Sequence, residues 1–320
     1  MINKNGAVLS GVQVTPRITV TSDAFRSTQL IHAIGIVLLP LIGTVCALFF
    51  AFQVRFGIME IVLFAVLYAL SILGITAGYH RLFAHRAYTT KPAIRFLFGV
   101  LGSMAAQGPV TYWVSNHRRH HRFSDRNGDP HSPHVTGAHT TTGLPGFLHA
   151  HMGWTLDPEI TNTVVFAKDL LRDPVATRLN RTYYLWVALG LAMPFTIGGI
   201  LTHSWAGAVS GLLWGGFVRL FISYHATNSI NSITHLFGSR PFDTPEKSRN
   251  NAWLVLPTLG EGLHNNHHAF PRSALFGYRW WHFDIGSWVI LLMERLGLAW
   301  QVHKPHASAI AAKRRESSAV

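Results

Sequence analysis

The chain holds a single cysteine, Cys46, among its 320 residues. One thiol excludes an internal disulfide, a thiolate-held iron–sulfur cluster and a thiolate zinc site. Charge is scarce as well. Asp, Glu, Lys and Arg together make up 13% of the sequence, where a soluble domain carries about 25%. Acidic side chains are the scarcest, 14 against 27 basic ones, for a formal charge of +13. A basic surplus suits either nucleic acid or the cytoplasmic face of a membrane protein. The basic residues here are spread out and adjoin long apolar runs, so a membrane protein with no nucleic-acid partner is expected. Residues Met1 to Thr28 lack the early apolar core of a secretory signal.

What the chain does have is hydrophobic length. Leu30 to Phe52 is apolar apart from His32, and Ile58 to Tyr79 is broken only by Glu60 at its start. Two further runs cover Tyr183–Leu201 and Trp205–Tyr224. Each is long enough to cross a hydrocarbon core of about 30 Å. Short links join them in pairs, which predicts four transmembrane helices in two hairpins with both termini on one side. Three basic residues precede the first run, twelve lie between Arg81 and Arg181, and ten follow Tyr224. Arg55 alone falls in the opposite loops, and Arg219 lies within the fourth run. The asymmetry places the N-terminus, the middle loop and the C-terminal segment in the cytoplasm.

The expected fold is therefore an all-α membrane protein with a cytosolic helical cap. Residues 1–29 form a cytosolic N-terminal segment. Residues 30–302 form the membrane domain, with spans at 30–52, 58–79, 183–201 and 205–224 and a cap of residues 80–182 and 225–302. Residues 303–320 are basic, rich in small side chains and expected to be disordered. The apolar stretch Ala93–Ala106, too short to span, suits an interfacial helix or a packed part of the cap.

Histidine is abundant, at 20 residues, and eight of these sit in three clusters: His80-Arg-Leu-Phe-Ala-His85, His117-Arg-Arg-His120-His121 and His264-Asn-Asn-His267-His268. On an α-helix residues i, i+3 and i+4 share a face, so His-x-x-His-His aims three imidazoles at one region. His80 and His85 diverge by about 140° on an ideal helix and converge only where the helix ends or unwinds. Imidazole binds iron, zinc, copper and nickel, and eight such ligands exceed what one ion uses. A di-metal site follows. Glu261-x-x-His264 is the only Glu-x-x-His motif, so the carboxylate-rich ligand set of soluble di-iron bundles is not expected.

These clusters, in this order and between these spans, resemble the membrane fatty-acid desaturases, especially the stearoyl-CoA (Δ9) desaturase branch and its bacterial acyl-lipid relatives. The resemblance covers about Leu30 to Trp300. It includes His117-Arg-Arg-His120-His121-Arg-Phe-Ser124, Gly260-Glu-Gly-Leu-His264-Asn-Asn-His267-His268-Ala-Phe-Pro271 and Asn231-Ser-Ile-Thr-His235-Leu-Phe-Gly238. It implies His235 as a ninth histidine ligand and Asn231 as a contact to one metal through water. It also implies that Gln107, Trp113 and Thr227 bend the substrate tunnel beside the metals. Two positions depart from the animal acyl-CoA pattern, which has basic residues that hold the CoA head. Ser115 stands at the first, and Thr-Leu-Asp157-Pro-Glu159 follows His151-Met-Gly153-Trp154 at the second. Phosphate recognition favours Arg and Lys, so acyl-lipid or acyl-carrier-protein substrates gain weight over acyl-CoA.

The resemblance implies an oxidoreductase that uses two Fe2+ ions, O2 and external electrons to place a cis double bond, Δ9 in this branch, in a saturated acyl chain. Zinc is a substitute that imidazole ligands would accept in a purified sample. No haem-binding segment or cysteine set is fused to the chain, so a separate donor such as ferredoxin or cytochrome b5 is expected. Counting back from His80 along its helix face, Tyr68 is expected beside the tunnel floor, limiting chain length. Two rivals remain: a histidine-cluster hydroxylase of lipids, alkanes or carotenoids, and a non-catalytic membrane metal-binding protein.

Overall fold

The computed structural model describes residues 17–21, 23–53, 56–137 and 139–314. Arg55 and most of the N-terminal segment lie outside these residues. Four helices are long and apolar enough to cross a membrane: Arg26–Gln53, Ile58–Ala84, Tyr183–Thr202 and Trp205–Leu236. They arise as two hairpins. The second hairpin turns at His203, in the left-handed conformation at φ 49°, and Ser204 caps the fourth helix by accepting from the Gly207 amide at 3.0 Å.

The second and fourth helices outrun the apolar stretches that define them. The second is expected to stop at Tyr79 and continues to Ala84. The fourth is expected to stop at Tyr224 and continues to Leu236. At 1.5 Å per residue these helices, of 27 and 32 residues, reach about 40 and 48 Å, beyond the hydrocarbon thickness. Hydropathy marks the lipid-facing length only. The extensions are polar because they carry site residues inside the cap.

Both helices change pitch. Gly74–Ala84 and Leu212–Val218 are π-helical, with hydrogen bonds running from i to i+5. The first of these segments packs against the short helix Pro92–Ser103, where Gly74, Gly78 and Gly102 leave no room for a Cβ. The apolar stretch around residue 95 is thus a packed part of the cap, and Arg95 ion-pairs with Asp173. Arg219, fully buried, ties three of the spans together. It donates to Gly215 O, Ser71 Oγ, Met104 O and Gly190 O at 2.7–3.0 Å. Backbone carbonyls and a hydroxyl share its charge where water is absent.

Beyond the spans, short strands and bridges close the cap. Thr19–Val20 pairs with Ile160–Thr161, and Thr89–Thr90 with Ala299–Trp300. The disorder expected for residues 303–320 is corrected for 303–314. His303 N donates to Ala87 O and its carbonyl accepts from Ala274 N, both at 2.9 Å. Ala307–Lys313 is helical, Phe242 bridges to Arg314, and Lys313 Nζ donates to Ala269 O at 2.7 Å. Backbone pairing and one lysine hold this strap, and neither leaves a hydrophobic pattern to read. Residues 315–320 lie outside the described residues.

Candidate metal centre

The first pair of histidines converges through the pitch change. His80 closes the second span and His85 caps its π-helical end, with His85 N donating to His80 O at 3.0 Å. In a ladder that repeats at i+5, residues five apart stack instead of diverging. Their rings come to 4.9 Å between centroids. The second cluster lies on the helix Val110–Phe123 and the third on the short helix His264–Ala269. Arg118, inside the second cluster, joins it to the first. Its guanidinium donates to Phe83 O and Ala84 O at 2.9 and 2.8 Å, capping the π-helical carbonyls, and clasps both oxygens of Asp169.

The histidines gather into two sets. His80, His85, His117, His121 and His267 form one, and His120, His235, His264 and His268 the other; within each set the ligand atoms lie within 4.8 Å of one another. Facing Nε2 atoms are 2.7 Å apart for His85 and His117, 2.8 Å for His121 and His267, 3.0 Å for His80 and His267, and 3.1 Å for His235 and His264. Adjacent ligands on one ion with bonds of about 2.1 Å stand about 3 Å apart, so these nitrogens fit a shared metal. His120 Nε2 and His268 Nε2 are buried without any partner. A buried orphan nitrogen is costly, and a metal relieves the cost.

Carboxylates hold the other ring nitrogens. Glu261 lies 2.6 Å from His80 Nδ1, Asp129 3.0 Å from His120 Nδ1, and Asp125 2.8 Å from His235 Nδ1. Glu246 approaches His268 Nδ1 at 3.7 Å. Such partners fix the tautomer and raise ligand basicity. Asp125 also accepts from Ser132 Oγ and from the Lys247 amide, and Asp129 from the Asp125 and His131 amides.

Titration follows from burial. Burial, and then the charges of neighbouring histidines, drive His85, His117, His121, His264, His267 and His268 well below the ordinary imidazole range. All six are therefore neutral near pH 7, the form a metal requires. Burial pushes Asp125, Asp129 and Glu261 up, but the facing histidines, hydrogen bonds and, at Glu261, Arg81 outweigh it and hold them below the carboxylate range.

Two cavities meet beside the metals. The outer one runs from Gln29, His32 and Ile36 past Tyr224 to Gln107, Trp113, Thr227 and Asn231. The inner one starts at Trp113, Thr227 and Asn231, passes His80, His117, His120 and His264, and ends on Ile72, Ile75, Ile230 and Thr258. Gln107 forms the link, donating to Thr227 Oγ1 at 2.9 Å and accepting from Trp113 Nε1 at 3.4 Å. Trp113 stacks on His117 with centroids 5.0 Å apart. The three residues expected at the bend thus form one chain against the metal set. Asn231 lines both cavities and donates to Asn228 Oδ1 at 3.3 Å. Tyr68 does not line the inner cavity. It lies one turn beyond Ile72, with its hydroxyl donating to Pro257 O at 2.7 Å, so helix-face counting reached one turn too far.

Several residues escaped the sequence reading. Asp125, Asp129 and Glu246 are remote in sequence from most of the groups they orient, and no spacing flags them. Glu261 was visible only as part of a Glu-x-x-His motif. His131, buried and stacked on His120 at 4.4 Å, makes no hydrogen bond at Nδ1, which lies 3.9 Å from Asp129 Oδ1. No spacing rule links it to the clusters.

Comparison with known proteins agrees with this geometry. The family model for fatty acid desaturase matches residues 56–292. A hex-5-enoyl-[acyl-carrier protein] acetylenase of Moorena producens (strain JHB) is 44% identical over 298 residues, covering 92% of this chain and 93% of the relative. An sn-1 stearoyl-lipid 9-desaturase of Anabaena variabilis is 37% identical over 233 residues, covering 72% and 78%. A probable acyl-CoA desaturase of Schizosaccharomyces pombe is 34% identical over 283 residues, covering 87% of this chain and 55% of the relative.

Proposed function

The chain belongs to the fatty acid desaturase family, and on that premise we propose that it places a cis double bond in a saturated acyl chain at a two-iron centre. That it is a membrane enzyme desaturating fatty acids follows from the family; the metal, the bond position and the ligand roles are our reading. The observation that carries it is the division of nine histidines into two sets, each of which reaches the largely apolar inner cavity. His80, His85, His117, His121 and His267 would hold one iron, and His120, His235, His264 and His268 the other, with Asn231 contributing through water. When bound and reduced, the iron pair supplies the O2-activating power needed to remove hydrogen from unactivated methylenes.

The chain's own residues do the positioning. The Thr227–Gln107–Trp113 hydrogen-bonded chain bends the substrate so that two adjacent methylenes lie against the metal sets. The outer cavity then measures the distance from the acyl head to the new bond, and we place that bond at Δ9, as the resemblance to the stearoyl (Δ9) branch implies. The inner cavity limits the length beyond it. Its apolar end excludes water from the reacting carbons.

Electrons come from a separate ferredoxin or cytochrome b5, attracted to a basic cytoplasmic face with the N- and C-terminal segments on that side. Residues 30–302 act as one membrane domain. The test is lipid profiling of a host expressing the chain beside a His120→Ala control. New unsaturated chains, two hydrogens lighter than their precursors and absent in the control, are expected. Products heavier by one oxygen would instead indicate a hydroxylase.

A second reading has a specific observation behind it. The Moorena relative, similar along nearly its whole length, is an acetylenase acting on a hex-5-enoyl chain. Triple-bond formation from an existing double bond would use the same site. Feeding both saturated and monounsaturated chains separates the two readings.

A further inference from the structure

Outside the acyl cavity lies a polar cleft that neither the metals nor the tunnel accounts for. It shares Gln29, Tyr112, Asn116 and Trp154 with the outer cavity, so the two adjoin. An acyl head that leaves the outer cavity past these four residues meets this cleft. Arg119 is the only arginine or lysine among its described lining residues. It is buried and committed, with Nε donating to Gly128 O at 2.7 Å and Nη1 to Thr161 Oγ1 at 3.1 Å. Three carboxylates line the cleft: buried Asp129, which is engaged with His120, half-buried Asp157 and exposed Glu159. His149 and neutral groups, including Asn127 and Thr136, complete the polar lining. Cations stand outside instead. Arg122 and Arg126 are exposed on the turn that leads to Asn127.

Building on the acyl-desaturase reading, we propose that this cleft receives a neutral, amide-bearing thioester arm of the pantetheine type, presented by an acidic carrier protein. Such an arm offers amide donors and acceptors to the neutral part of the lining and brings no charge close to Asp157 and Glu159. The diphosphate and third phosphate of coenzyme A would meet those carboxylates with no uncommitted arginine or lysine among the described lining residues to offset them. A glycerolipid would have to carry its second acyl chain past a polar cleft. The exterior arginines suit the surface of an acidic carrier, whose encounter they would speed.

The test uses the full chain in lipid nanodiscs. One acyl group is presented on pantetheine, on a carrier protein, on coenzyme A and in a phospholipid, and binding and product formation are measured separately. Acyl-pantetheine and acyl-carrier protein are expected to bind at least about tenfold tighter than acyl-CoA. Glu159→Lys, and separately Asp157→Asn with Glu159→Gln, should narrow that gap. Arg122→Glu with Arg126→Glu should weaken the carrier form and leave acyl-pantetheine unchanged. Acyl-CoA binding as tightly as acyl-pantetheine, a gap unmoved by both carboxylate variants, or turnover confined to the phospholipid overturns the proposal. If the arms bind in the expected order and no chain is desaturated, the desaturase reading fails while the cleft assignment stands.

Discussion

At the scale of single residues, the centre is defined as much by its carboxylates as by its histidines. Asp129 both orients His120 and accepts from two backbone amides. Asp129→Asn keeps the shape but removes the charge that makes His120 a strong ligand. Metal affinity should fall about 10- to 100-fold, read by competition with a chelator; unchanged retention would mean that Asp129 only braces the loop. Protonation gives a second prediction. In the unfolded chain the cap histidines take up protons near pH 6.5, whereas in the folded, metal-free protein they resist until well below that. The unfolded state therefore binds more protons below pH 6.5, and stability falls as pH drops through that window. Asp125, Asp129 and Glu261, held low when folded, contribute stability that is present above about pH 4 and lost on further acidification. Melting of the metal-free protein between pH 7.5 and 5.5 checks the first part, and a constant midpoint would contradict it. The histidines were legible because their clustering is local in sequence. Their carboxylate partners were not, since Asp125 and His235 meet only after folding brings together residues more than a hundred apart.

Among elements, the π-helical end of the second span is what makes the first cluster work. Spacing correctly exposed the difficulty of aiming His80 and His85 together, yet a pitch change inside a continuous helix leaves no cap or breaker residue to read. The same span closes the inner cavity through Ile72 and Ile75, with Tyr68 one turn behind. Ile72→Ala should admit longer chains. Tyr68→Ala should add length only in the presence of Ile72→Ala, because Ile72 shields it. Product profiles of the single and double variants decide this, and an unchanged range in both would move the chain-length stop elsewhere. Helix ends were legible only where hydropathy and structure coincide, as at Ile58 and Tyr183. The fourth helix carries Thr227, Asn231 and His235 on a polar continuation that hydropathy cannot see.

Taken as a whole, the molecule is four spans, three of them tied by one buried guanidinium, and a cap held by a strap. Arg219 makes four hydrogen bonds. At about 0.6 kcal/mol for each such bond in a membrane, Arg219→Met should cost about 2 kcal/mol, seen as a lower melting temperature in nanodiscs with metal content per folded molecule preserved. Architecture at this scale was the most legible, because lipid demands apolar length and four runs supply it. The strap was least legible, and it has a consequence for biogenesis. Residues 303–314 join the loop after the first cluster, at Ala87, to the loops after the third, at Ala269 and Ala274. They emerge from the ribosome after every histidine of the two sets has been made. The spans can therefore insert while the centre is still open, and its final shape is set only after translation has passed the ligands. Metal loading becomes a late step of maturation, separable in time from membrane insertion.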